Sequence, residues 1–212
     1  MSRNQPFQWV NAEEAVKHIG SNQRIYIQGA AMTPEVLVQH MTARYEELRN
    51  VEIVHLHTEG DAPYAEEKYK NSFKLNSFFL GGNVRKAVSE GYADYVPIFL
   101  SEIHQLFRRK ILPLNVAMIQ VSPPDKHGLC SLGVSVDITL PAIQAADIVI
   151  AEVNPNVPRM FGDAIISVRQ IDYAVQTTHP IGVKRPAPVT EQEMKIGKNV
   201  AELVEDGATL QL

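Results

Sequence analysis

An α/β architecture, a mostly parallel sheet flanked by helices, is predicted for this 212-residue chain by three features. Short apolar runs recur at residues 24–28, 51–57, 116–121 and 147–153, each of a length suited to a buried strand. Amphipathic segments separate them; Val36, Leu37, His40, Met41, Tyr45 and Leu48 trace one helix face. The runs end in Gly, Pro, Ser or Asn, and crossover connections in a parallel sheet bring such exits to one edge. Ligands of open α/β sheets bind at that carboxyl edge.

Taken in order, Asn11 caps a short helix through Ala12, Ala15, Val16 and Ile19, which Gly20 stops. Strand 24–28 leads into Gly29, Ala30, Ala31, Met32, Thr33 and Pro34. Thr33 is expected as N-cap and Pro34 as the first residue of a helix reaching about Leu48. With one glycine and no lysine the loop is neither a dinucleotide fingerprint nor a P-loop, and a tight turn explains it as well as an anion cradle does. His55 and His57 share a face of strand 51–57, but no further ligands follow at metal-site spacing, so no metal is assigned. Residues 63–76 read as a long loop carrying Tyr64, Tyr69 and Phe73, and 78–80 as a strand. Gly81 and Gly82 turn into a helix over 83–90 that Gly91 ends. After a turn at 94–97, a helix over 100–107 ends in Arg108, Arg109 and Lys110, which complement its dipole.

The stretch 116–163 organises the rest. Its first strand exits through Ser122, Pro123 and Pro124 into the turn Asp125, Lys126, His127, Gly128, and Ser131, Gly133 and Ser135 then present a surface of small residues. A helix over 137–146 returns the chain to a second strand, which exits through Asn154, Pro155, Pro158 and Arg159. An arginine at a strand exit suits an anion, although ordinary turns between helices and strands need the same small and rigid residues. Residues 164–168 and 171–175 are apolar and β-prone, and 178–189, with Pro180, Pro186 and Pro188, reads as a linker. Thr190 and Glu193 form a capping box for a helix through Val204 that Gly207 ends, and 208–212 begin a strand. The chain is therefore expected to hold one domain over 1–180. Residues 181–212 are expected to be the linker, helix and first strand of a truncated second domain.

The formal net charge of −4 leaves no basic excess for nucleic acid or a membrane surface. Cys130 is alone, which excludes an internal disulfide and points to a reducing, cytoplasmic setting. No apolar stretch reaches membrane-spanning length, and residues 1–16 lack a signal-peptide core.

The runs QGAAMTPEVL, GNVRKAVSEGYADYVPIFLSEIHQLF, SPPDKHGLCSLGVSVD, AEVNPNVPRMFGDAIISVRQID and IGKNVAELVEDGATLQL resemble the amino-terminal domain of the acetyl-CoA hydrolase/transferase family, particularly its 4-hydroxybutyrate and butyryl-CoA:acetate CoA-transferases. The resemblance implies a two-domain α/β protein that moves coenzyme A between short-chain carboxylic acids through a glutamyl-CoA thioester. Acyl-CoA and carboxylate are then the substrates, and no cofactor is held permanently. In the family the glutamate and a G-x-G-x-I-P loop follow the equivalent of Leu212, so no catalytic residue is assigned here; Glu152 and Glu59 match no nucleophile motif. The resemblance places Gln28, Gly29, Ala30, Gly81, Gly82, Asn83, Ser122, Ser135, Asn154 and Arg159 on the first domain's side of the substrate cleft. Ala30 stands where some relatives carry a histidine. Apolar surface left by an absent second domain would favour a homo-oligomer. The alternatives are a hydrolase, in which water attacks the thioester, and a non-catalytic module that pairs with a separate catalytic subunit. A nicotinamide-dependent enzyme is disfavoured because the phosphate fingerprint is missing.

Overall fold

In the computed structural model, which describes residues 7–183 and 186–211, the apolar runs become neighbouring strands of one sheet. The chain forms β1 (Gln8–Trp9), α1 (Ala12–Val16), β2 (Arg24–Ile27), α2 (Glu35–Ala43) and β3 (Val51–His55). It continues through β4 (Phe73–Ser77), α3 (Arg85–Ser89), β5 (Ala93–Tyr95), α4 (Leu100–Arg108), β6 (Val116–Val121) and β7 (Leu129–Ser131). Next come α5 (Thr139–Ala145), β8 (Ile148–Val153), β9 (Ile165–Ser167), β10 (Tyr173–Gln176) and α6 (Glu191–Ala201). Eight strands pair in the order β1-β10-β8-β6-β2-β3-β4-β5, every pair parallel, while β7 and β9 form a separate antiparallel pair.

The chain winds outward in both directions from the neighbours β2 and β6, so the strand order reverses between them. Ligands of open α/β sheets bind outside the carboxyl ends of strands at such a point. The expected crossover from β6 through α5 to β8 is present, in register from Val116↔Ile148 to Val121↔Val153. All six residues of β6 are buried, as a central strand covered on both faces requires.

Alternation along the strands divides the core. Ile25, Ile27, Met118 and Ile150 pack with Leu37 and Met41 of α2 and with Ala15 and Val16 of α1. Tyr26, Ala117, Ile119 and Val149 pack on the other face with Ile103 and Phe107 of α4 and Ile143 of α5. The result is the expected sheet between two helical layers.

Several elements differ from their sequence expectation. Residues 63–76 are not one loop: they hold 3-10 turns at Pro63–Ala65 and Glu67–Tyr69, then β4, so the run expected as a strand at 78–80 is that strand's exit. Buried Phe73 and Leu75 alternate with Lys74 and Asn76, a pattern too brief to stand out from its polar flank. β5 takes up Asp94 and Tyr95 of the turn expected at 94–97, because pairing with β4 supplies its ladder bonds. The two-residue β1 and three-residue β7 are too short to show any period. α1 closes at Val16, ahead of Gly20, and α2 closes at Ala43, short of Leu48.

The chain divides into two units between Gly182 and Val183. In the second, Thr190 and Glu193 make the expected capping box, but α6 ends at Ala201, before Val204 and Gly207. Residues 208–211 form no strand; Leu212 and the linker positions 184–185 lie outside the described residues. Among the described residues no helix is long and apolar enough to cross a membrane.

Candidate functional site

The loop leaving β2 is held tightly against the exit of β3. A Cβ at Gly29 would overlap the His57 carbonyl oxygen, so only glycine lets the two backbones approach this closely. Ala30 takes a left-handed φ of 50° and donates its N–H to the same His57 oxygen at 2.9 Å. Thr33 does not cap α2: its hydroxyl donates to Ala30 O at 2.8 Å and accepts the Glu59 N–H at 3.1 Å, while the helix begins at Glu35, with Pro34 as the flanking residue.

The cap comes from 115 residues away. Glu152, buried on β8, accepts the Leu37 N–H on Oε1 at 2.7 Å, placing a carboxylate at the positive end of α2. Its Oε2 lies 3.1 Å from His179 Nε2. Burial raises the Glu152 pKa above the usual carboxylate range, against the Leu37 N–H and His179, which pull it down. Burial also disfavours the His179 cation, but Glu152 and the Pro180 carbonyl outweigh it and raise the imidazole's pKa. The Leu37 N–H and the His179 ring thus take up both Glu152 oxygens, so neither is left unpartnered.

Three buried amide side chains cross the edge from β2 to β8. Gln28 donates to Leu132 O at 3.1 Å and Ser135 O at 2.8 Å and accepts the Gln120 N–H at 2.8 Å. Gln120 donates to Thr33 O at 3.3 Å and accepts from Asn154 Nδ2 at 2.8 Å. Asn154 also donates to His179 O at 2.9 Å and accepts the Asn156 N–H at 3.0 Å. At the loop junction Gly133, with φ of 65°, leaves no room for a side chain: a Cβ there would meet Met32 Sδ at 2.5 Å and Val157 Cγ1 at 2.9 Å.

The structure brings Gln28, Gly29, Ala30, Ser135 and Asn154 into this one cluster. Ser122 sits at the exit of β6, where its Oγ accepts the Ser131 N–H at 2.9 Å. The Ser135 hydroxyl is turned to Asp137, at 2.8 Å. Gly81, Gly82 and Asn83 lie beyond β4, two strands from β2, and join the cluster indirectly. Asn83 donates to Thr58 O and Gly60 O, each at 2.9 Å, and Thr58 bridges Ala30. Arg159 is engaged by Asp125 at 2.7 Å, tying the loop after β8 to the loop after β6. The Leu129 and His127 N–H groups and Arg159 hold the Asp125 carboxyl below its usual pKa, the Leu129 N–H most strongly. His55 is enclosed against Tyr64, whereas the His57 ring stands 5.8 Å from Phe79, and among the described residues no group of three or more His, Cys, Asp or Glu side chains converges as a metal site.

Sequence reasoning missed Gln120 and the capping role of Glu152. A polar residue inside an otherwise apolar strand was the one available signal for each, in VAMIQV and IVIAEV. Chemically, the edge is a preorganised set of backbone and amide dipoles at the switch point, and its Glu152–His179 and Asp125–Arg159 side chains are paired with each other.

Fold and side-chain network together define a doubly wound α/β domain whose strand order reverses between β2 and β6. The chain belongs to the acetyl-CoA hydrolase/transferase family: the family's N-terminal domain matches residues 1–183. It is 45% identical over 203 residues to the 4-hydroxybutyrate coenzyme A transferase of Clostridium kluyveri, covering 96% of this chain and 47% of that one. It is 45% identical over 204 residues to the succinyl-CoA:acetate/propanoyl-CoA:succinate CoA transferase of Fasciola hepatica, covering 95% and 42%. The crystal structure of 4-hydroxybutyrate CoA-transferase from Porphyromonas gingivalis superposes with a TM-score of 0.78 at 29% identity, covering 95% of this chain and 47% of that one. The chain thus spans about half the length of the relatives it matches.

Proposed function

We propose that this chain forms one wall of the acyl-CoA and carboxylate site of a cytoplasmic CoA-transferase acting on short-chain acids. The observation that carries this reading is the braced cluster of strand-exit loops at the β2–β6 switch point, where Glu152, the buried carboxylate beneath it, caps α2 and holds His179. A wall so built can orient a thioester and stabilise developing oxyanions with backbone N–H groups. The covalent carboxylate must then come from a complementary α/β domain or subunit, as the family resemblance implies. There a glutamate accepts coenzyme A as a thioester and passes it to the second acid, dividing one difficult transfer into two easier ones. Transfer is favoured over hydrolysis because the relatives at 45% identity are named as CoA-transferases of short-chain acids.

The test is a side-by-side assay of the 212-residue chain and of the gene's full reading frame, following acetyl-CoA consumption with and without butyrate or 4-hydroxybutyrate. Turnover by the longer protein, only with the acid present, is expected. Turnover by the 212-residue chain alone would sink the division of labour, and acid-independent consumption would make the protein a hydrolase.

A further inference from the structure

We propose that Gln120 is a positioning residue for the transfer site, its buried amide fixing the strand-exit loops at the β2–β6 switch point in one arrangement. The proposal rests on the function just proposed. Gln120 interrupts the apolar run of the most enclosed strand, where a Val or Ile would serve the core at no desolvation cost. Its side-chain bonds contribute nothing to the strand ladder. Nε2 holds Thr33 O in the loop after β2, and Oε1 holds Asn154, whose own Oδ1 takes the Asn156 N–H in the loop after β8. The backbone N–H of Gln120 anchors Gln28, which carries the carbonyls of Leu132 and Ser135 in the loop after β7. His179 O, in the segment after β10, is held by Asn154 and Asn156 at 2.9 and 2.8 Å.

Four loops are thereby tied to one strand position. The loops in turn pack on each other at Gly133, between Met32 and Val157, so a shift in one is passed to the next. A buried network in which every member is satisfied acts as a unit and resists partial loosening. Small displacements of groups that orient a reacting substrate are costly, about 100-fold in rate for about 1 Å.

The test compares Gln120→Met, Asn154→Leu and the double variant with the wild type by amide hydrogen exchange on the 212-residue chain and by steady-state kinetics on the full reading frame. Gln120→Met is expected to speed exchange at least about tenfold at Met32, Thr33, Asn156 and Val157, while amides of Ile25, Ile53 and Val149 stay within about twofold. It is expected to lower kcat about 10- to 100-fold with a smaller change in KM, and the double variant should lose no more than about twofold beyond that. Unchanged loop exchange in a folded variant, or kinetic losses that multiply, would overturn the proposal. If Gln120→Met fails to fold, Asn154→Leu cuts the network from its far end, and unchanged protection at Asn156 and Val157 would overturn it equally. A wild-type full-length protein without transfer activity would sink the functional reading alone, because the exchange pattern then decides the network by itself.

Discussion

Acid should unlock the protein at His55. Its imidazole ends β3 fully buried, edge-on to the Tyr64 ring with centroids 5.9 Å apart, and neither ring nitrogen makes a hydrogen bond of good geometry. Burial brings its pKa down from 6.5 to about 4, against a weaker opposing pull from the Leu56 backbone. The unfolded chain binds this proton more readily, so the stabilisation is complete above pH 6.5 and drains away as the pH falls toward 4. In full the gap is worth about 3 kcal/mol, of which about 2 kcal/mol is gone by pH 5. His55→Leu removes the titration and keeps the site apolar. Urea unfolding of both proteins at pH 7, 6 and 5 should show the wild type losing about 2 kcal/mol more than the variant across that range. Stability curves that stay parallel would refute the claim that His55 is buried and neutral.

Gly29→Ala forces a methyl group into the His57 carbonyl and should cost about 1–3 kcal/mol in chemical denaturation. Gly82→Ala, where nothing lies within 4 Å of the added carbon, should stay within about 0.5 kcal/mol. Equal effects at the two glycines would refute the close approach of the β2 and β3 exits. Arg159→Ala breaks the contact to Asp125 and should weaken transfer by the full-length protein while leaving the melting temperature nearly unchanged. Unaltered kinetics in that variant would remove Arg159 from the site.

Contacts between residues a few positions apart are legible along the chain itself. The capping boxes of α1 and α6, Asn11 with Glu14 and Thr190 with Glu193, are such contacts, and the apolar runs of β2, β6 and β8 are equally local. Gly29 and Asn154 stand out as candidate site residues from their places at strand exits. What holds them does not. Thr-Pro is a good local helix start and points to Thr33 as the N-cap of α2, yet a carboxylate from β8 takes the task and frees Thr33 to brace its own loop and Glu59. Arg159 reads as a free anion ligand because its partner, Asp125, lies 34 positions earlier.

The layered α/β class, the crossovers from β2 through α2 to β3 and from β6 through α5 to β8, and the family resemblance are legible without coordinates, because periodicity, turn residues and long matching runs are written locally along the chain. That β2 and β6 are neighbours, and hence where the strand order reverses, emerges only from the packing of the folded chain. It alone joined Gln120 to Thr33 across 87 positions and Glu152 to Leu37 across 115. The physical reason is that a buried amide or carboxylate must find a partner wherever the sheet order puts one, and sheet order is settled by the packing of the whole chain rather than by any segment of it.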